Sequence, residues 1–314
     1  MNKTSAFALI LLGIIATHFL NDLSDNKLNQ NAYAHNFAPN ESAEFLALMQ
    51  LIKTEANIVK SNLNNNNTEL AEEHANRAQM ILTPFIVSEV AERNERVANE
   101  LNSSLMALKE SATGTQQPSA TIATADEINA IIDEAITVRI DPEQRNNATI
   151  QAIAFANILD GILNNYGDAY AVGFDMTNMT NMMMRMDTGE EAMDMGTDMS
   201  QTEMDTDTSV RNESNMSGMN MAGVDMDMQS GDIVNMTAYQ TANALASIVP
   251  TIFKNDILPL APERSTNFIS NLESALTELK VASGNMTSPM EIMNIVHGKV
   301  HPNLQTAFSL PTRQ

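Results

Sequence analysis

Phe45, Leu48, Met49, Ile52, Ala56, Val59 and Leu63 recur at spacings of three and four, so one apolar stripe runs down a helix of about five turns. Aromatic residues make up only 4% of the 314-residue chain and Trp is absent, which argues against sandwiches and barrels, whose strands lean on aromatic and β-branched side chains. A hydrophobic content of 43% suffices to bury a core, and the length suits one large helical domain or two small ones. The expected fold is all-α, a helical bundle of about seven or eight helices.

A second helix starts at Thr68, where Glu69, Glu72 and Glu73 suit the positive amino end and Leu70, His74, Ala78, Ile81 and Phe85 share a face. Pro84 should kink or divide it. Val97, Leu101, Leu105 and Leu108 mark a third helix, followed by a linker over 111–123. Thr124-Ala125-Asp126-Glu127 has the pattern of a capping box opening a fourth. Asp141-Pro142-Glu143-Gln144 opens a fifth, which runs through Ile150, Ile153, Ile158 and Ile162 toward Tyr170. Three more helices are expected over 237–253, 265–282 and 288–308, and Ser288-Pro289-Met290-Glu291 gives the last the firmest start in the chain.

A weak repeat joins the two ends. Phe45 precedes His74 by 29 residues, as Phe268 precedes His297, and at this offset Ser42, Thr54 and Glu55 meet Ser265, Thr277 and Glu278. A true repeat would make two helical hairpins of a pseudo-symmetric bundle and bring the two histidines to comparable depths. Chance alignment is the alternative.

Lys3 followed by an apolar run over 6–20 reads as an export signal, too short to span a bilayer comfortably. The small-x-small site Ala32-Tyr33-Ala34 precedes His35, so one reading removes 1–34 as a leader and the other keeps it as an uncleaved membrane anchor. Either way the expected location is secreted or extracytoplasmic, at the cell surface. Asn40, Asn66, Asn102, Asn147, Asn178, Asn212, Asn215, Asn235 and Asn285 each begin Asn-x-Ser/Thr, consistent with export and a glycoprotein. The net charge of -22 and the lack of a basic stripe exclude nucleic acid as a natural partner and favour cations. With no Cys there are neither disulfides nor thiolate metal sites, so a soft ligand must be methionine.

The span 175–228 holds fifteen of the 23 methionines and twelve acidic residues against two arginines, Arg185 and Arg211. Without a sustained 3.6 period it is expected to be a disordered loop inserted in the helical domain. The expected organisation is therefore a leader over 1–34, a first part of the bundle over 35–174, a Met/Asp-rich insertion over 175–235 and a second part over 236–314.

Thioethers are neutral, soft ligands, and several close together bind Cu(I). Met182, Met183, Met184 and Met186, then Met193 and Met195, then Met216, Met219 and Met221, then Met226 and Met228 supply such groups. These clusters resemble the Met-rich loops of exported copper-resistance proteins and of copper-handling multicopper oxidases. The His-Cys-His motifs of the oxidases are absent, so their catalysis is not implied. The ordinary alternatives are a low-complexity tract tolerated in solvent and a sacrificial sink for oxidants. The Ala32-Tyr33-Ala34-His35 junction and the Asn-rich segment after it resemble secreted helical proteins of ammonia-oxidising archaea, which implies a copper-dependent setting.

After cleavage at Ala34, the amine and imidazole of His35 together would chelate Cu(II), resembling the histidine brace of copper enzymes, with His74 a candidate second histidine. On the last helix Met286, Met290, Met293, His297 and His301 follow at intervals of four, three, four and four. His297 with His301 is an i, i+4 pair able to grip one metal, while the plain alternative makes Met290 and Met293 core and His297 a satisfied buried histidine. His74, His297, His301 and Met293 are expected to approach one another as a site separate from the loop. No phosphate loop, thiol nucleophile or catalytic triad is specified. Copper sequestration or delivery is the leading function. Its rival is a glycosylated cell-surface helical protein with a structural role or a protein partner and no metal.

Overall fold

The computed structural model describes residues 37–113, 117–178 and 232–310, and among them all regular structure is helical, with no strand. The expected leader, His35, and Met182, Met183, Met184, Met186, Met193, Met195, Met216, Met219, Met221, Met226 and Met228 lie outside these residues. No described helix is long and apolar enough to cross a membrane.

The stripe that opens the chain's helical pattern becomes α1, Pro39–Asn64, with Phe45, Met49, Ile52, Ala56, Val59 and Leu63 all buried. Asn66 then takes φ 58°, and Asn67 caps α2, Thr68–Ile81, by accepting the Leu70 N–H. Pro84 does divide the second helix: Thr83 caps a separate α3, Pro84–Arg93, and α4 follows over Glu95–Thr113.

The expected linker over 111–123 is a correction. Helix α4 continues to Thr113, and α5, Pro118–Arg139, begins six residues before Thr124. Pro118 occupies the first turn, where its missing N–H costs nothing, and Thr121 is buried on the face continued by Ala125, Ile128 and Ile132. Thr124 therefore sits inside a helix, its hydroxyl donating to the Ala120 carbonyl. The fifth start is also displaced. Asp141-Pro142 opens only the single turn α6, Pro142–Arg145, and Asn147 caps the long α7, Ala148–Ala169, accepting from Thr149 and Ile150. Gln144 does not reach back to a cap; it donates to the Phe37 carbonyl and accepts from Ser42.

The C-terminal half comprises α8, Met236–Ile252, α9, Thr266–Gly284, α10, Pro289–Ile295, and α11, His301–Phe308. Two π-helical turns interrupt it, Phe253–Ile257 after α8 and Val296–Val300 between α10 and α11. Each precedes an X-Pro step, Leu258-Pro259 and His301-Pro302. A proline inside a helix has no N–H to donate and its ring strikes the carbonyl four residues back. The wider turn relieves both problems, with Leu258 donating to the Phe253 carbonyl and His301 to that of Val296.

Among the described residues two large apolar cores form, with a small third cluster of Ala43, Ile150 and Ala154. One joins α1 to α5 through residues such as Ile52, Leu101, Leu105 and Ile132; the other joins α7 to α11 through Phe155, Ile162, Leu245, Leu276 and Val296. They share α1, which packs against α2, α5, α7 and α8. Fully buried Arg139 pairs with Glu89 at 2.8 Å and lies over the rings of Phe37 and Phe45, so the chain entering α1 is fixed to α3 and α5.

The repeat does not carry into the hairpins. Both turn through a left-handed residue, Asn66 between α1 and α2 and Met286 between α9 and α10. Phe45 stands 21 residues before that residue and His74 eight after it, whereas Phe268 stands 18 before and His297 eleven after. The equal 29-residue spacing conceals a register difference of nearly one helical turn. Phe45 is accordingly buried and Phe268 exposed.

Candidate functional site

Histidines from the two halves meet opposite fates. His74 on α2 is fully buried where α1, α2 and α8 adjoin. Its Nδ1 lies 2.5 Å from Glu55 Oε2 and its Nε2 2.9 Å from Gln240 Oε1. The other Glu55 oxygen accepts from Arg77 Nε at 3.1 Å and from the Thr241 hydroxyl at 2.9 Å. Arg77 also donates to Asn165 Oδ1 of α7, and Asn62 exchanges hydrogen bonds with Gln240. Side chains of four helices thus saturate one buried carboxylate and one buried imidazole. Both ring nitrogens are committed, so this network has the character of a structural clasp.

The shared site expected for His74 with His297, His301 and Met293 is therefore not assembled. Met293 is buried in the core of the C-terminal half. His297 and His301, by contrast, are brought together, with ring centroids 5.3 Å apart and planes tilted by 40°. The π-turn Val296–Val300 and the first turn of α11 carry the two rings.

His297 is held by the chain that leads into the methionine-rich tract. Its Nε2 is 2.8 Å from the carbonyl oxygen of Met176. A carbonyl only accepts, so the proton is on Nε2 and the neutral ring keeps a lone pair on Nδ1. Burial lowers the His297 pKa, and His301 adds to the effect, against the opposing Met176 hydrogen bond and the charges of Asp160 and Asp175. His301 Nε2 lies 3.4 Å from Asp160 Oδ1 on α7. Asp175 is held below its ordinary range chiefly by the Thr177 hydroxyl, then by the Thr177 N–H, with His297 assisting. Among the described residues no group of three or more His, Cys, Asp or Glu is placed to hold a metal. The geometry supplies a histidine pair with carboxylates beside it.

Both ends of the tract converge on the carboxyl end of α7. Met176 is buried, and its sulfur lies so near Gly167 that an added Cβ would approach it to 3.2 Å. On the return, the N–H groups of Val234 and Asn235 both donate to the Ala169 carbonyl. Residues 175–178 and 232–235, at the two edges of the expected insertion, thus join the folded body. His297 sits at this neck.

Sequence reading missed Asp160, Asp175 and the Met176 carbonyl, which reach the histidines only through docking of α7 against the last helices. Glu55 had a visible signal, a carboxylate on the same stripe as Ile52, Ala56 and Val59. Two of the Asn-x-Thr triplets have structural uses as well, since the Asn147 and Asn235 side chains cap α7 and α8. Compared with protein-family models, curated proteins and solved structures, the chain matches none.

Proposed function

We propose that this is an exported copper-binding protein for sequestration or delivery. Cu(I) is taken by the thioethers of Met182, Met183, Met184, Met186, Met193, Met195, Met216, Met219, Met221, Met226 and Met228. Cu(II) is taken by His297 and His301 at the neck of the tract, and by His35 where the leader is removed after Ala34.

The observation that carries this reading is the Met176–His297 hydrogen bond, which ties the start of the sulfur-rich span to a histidine pair. A ligating histidine commonly donates its other N–H to a carbonyl, which fixes the tautomer and aims the free nitrogen. His297 has that arrangement, with Nδ1 free of a partner among the described residues. A soft multidentate tract beside a borderline imidazole pair gives each oxidation state of copper its own ligands. The high acidic content adds a long-range attraction for cations.

Cu(I) titration against a competing chromophoric chelator, with Cu(II) titration in parallel, tests the assignment. The full chain, a deletion of 182–228 and the double variant His297→Ala/His301→Ala are compared. The deletion should remove Cu(I) uptake, and the double variant should weaken Cu(II) binding by roughly tenfold or more. Equal binding by all three would assign the methionines and histidines no ligand role and favour a glycosylated cell-surface protein that acts through a protein partner.

A further inference from the structure

Helix α7 stops in a way that turns the chain back along its own last turn. Ala171 takes the left-handed conformation with φ 50°, and the Val172 N–H donates to the Gly167 carbonyl at 2.9 Å. The Ala171 N–H reaches the Asp168 carbonyl at 3.4 Å, which completes the hydrogen-bond pattern of a helix closed by a left-handed residue. Four residues after Val172 the chain meets Gly167 again, now through a side chain. Met176 is 1% exposed and belongs to the core that contains Tyr166 and Ala169. A Cβ at Gly167 would lie 3.2 Å from its sulfur and 3.4 Å from its Cγ, so the missing side chain of Gly167 is the space in which the thioether rests.

The main chain of the same residue holds His297, whose Nε2 is 2.8 Å from the Met176 carbonyl oxygen. The hydrogen bonds around this carbonyl are local. Asp175 Oδ1 accepts from the Thr177 N–H at 2.9 Å and from the Thr177 hydroxyl at 2.7 Å, and the Asn178 N–H reaches the Asp175 carbonyl at 3.3 Å. Of residues 175–178 only Met176 is buried. The place of its carbonyl is therefore set by the seating of its own side chain against α7. A neutral imidazole released from that carbonyl could carry its proton on either nitrogen.

We infer that Met176 is a positioning residue for His297: its side chain, seated against Gly167, holds the carbonyl that keeps the ring proton on Nε2 and leaves Nδ1 to meet a metal. The step from that nitrogen to Cu(II) rests on the copper reading above. A metal on Nδ1 draws electron density from the ring and makes the Nε2–H a stronger donor, so bound Cu(II) tightens the hold on the Met176 carbonyl. Coupling of this kind is reciprocal, and the docked carbonyl favours Cu(II) to the same degree. His301, whose Nε2 faces Asp160 at 3.4 Å, is held by another element and serves as the internal control.

Met176→Ala and Met176→Leu in the full chain test the inference, since both keep the carbonyl and only leucine refills the seat. The first measurement is the His297 tautomer in metal-free protein at pH 8, read from nitrogen-15 NMR of the imidazoles. The unsubstituted chain and Met176→Leu should show the proton on Nε2, and Met176→Ala a mixture of tautomers, with His301 alike in all three. In parallel, Cu(II) affinity should fall roughly tenfold in Met176→Ala and be restored in Met176→Leu. Cu(II) should also slow amide exchange over residues 172–178 in the unsubstituted chain and not in Met176→Ala. A Met176→Ala protein with lowered stability but an unchanged His297 tautomer would make Met176 a core residue only and overturn the inference. Equal loss of Cu(II) in Met176→Leu and Met176→Ala would overturn it in favour of a thioether ligand. An unsubstituted chain with the expected tautomer but no Cu(II) binding would overturn the copper assignment and the coupling, and leave the positioning of His297 supported.

Discussion

His74 and the His297–His301 pair occupy the two halves of one bundle, and their surroundings differ in how completely their polar groups are matched. His74 is enclosed by Glu55, Gln240, Arg77 and Thr241, with no ring nitrogen left over. His297 uses one nitrogen on a backbone carbonyl and leaves the other unpartnered among the described residues. Low dielectric strengthens a complete network and penalises an incomplete one. Completed polar clusters therefore hold helices together, whereas an incomplete one leaves a polar atom open to a ligand.

The contrast is most sharply tested at Glu55. Replacement by Ala would leave His74, Arg77 and Thr241 without their common acceptor, and breaking a buried charged pair in this way costs about 3–5 kcal/mol. Urea unfolding should show that loss, with Cu(II) affinity of the folded fraction unchanged. A Glu55→Ala protein of normal stability that had lost copper would place His74 among the ligands and end the contrast. His297→Ala should behave oppositely. It forfeits one hydrogen bond, about 1 kcal/mol of stability, while Cu(II) binding falls roughly tenfold.

How far the sequence discloses these arrangements depends on the distance over which each is determined. The stripe from Phe45 to Leu63 and the Ser288-Pro289 start are set by neighbours within a turn or two, and α1 and α10 appear where those signals put them. Thr124-x-x-Glu127 has equally local chemistry, but a capping pattern opens a helix only if the preceding chain is not already helical. Here Pro118 and buried Thr121 had started α5 upstream. Gln144 was diverted by Ser42 and the Phe37 carbonyl, partners about a hundred residues away in sequence, at separations of 102 and 107. The His297–His301 spacing was readable on one helix. Asp160 and Met176 were not, because only the packing of α7 brings them there.

A weaker effect should appear as pH dependence. Burial depresses the His297 pKa below the ordinary imidazole value of 6.5, so over the interval between the two values the unfolded chain binds more protons than the folded one. Stability of the metal-free protein should consequently be complete above about pH 6.5 and decline as pH falls through the folded value. The slope is shallow because the ring is partly solvated. His297→Ala should remove this contribution, which unfolding curves at several pH values would register. A slope identical in both proteins would mean that His297 is no less easily protonated in the folded state than in the unfolded chain.

Asp256 gives the smallest expected change, with the sign reversed. Its folded pKa is raised above the ordinary 3.8, so its contribution to stability is fully present below 3.8 and is lost as pH rises through the folded value. At neutral pH the carboxylate is therefore a slight burden on the fold, moderated by Lys53 and by its access to solvent. Asp256→Asn cannot ionise and should raise the Tm by about one degree near pH 7, with no gain near pH 3. Glu55→Ala and Asp256→Asn would then move stability in opposite directions, although both remove a carboxylate. A completed buried acceptor strengthens the bundle, whereas an exposed carboxylate met only by water adds nothing to it. A drop in Tm on Asp256→Asn would instead mean that the Asp256 carboxylate stabilises the folded protein, placing it with Glu55.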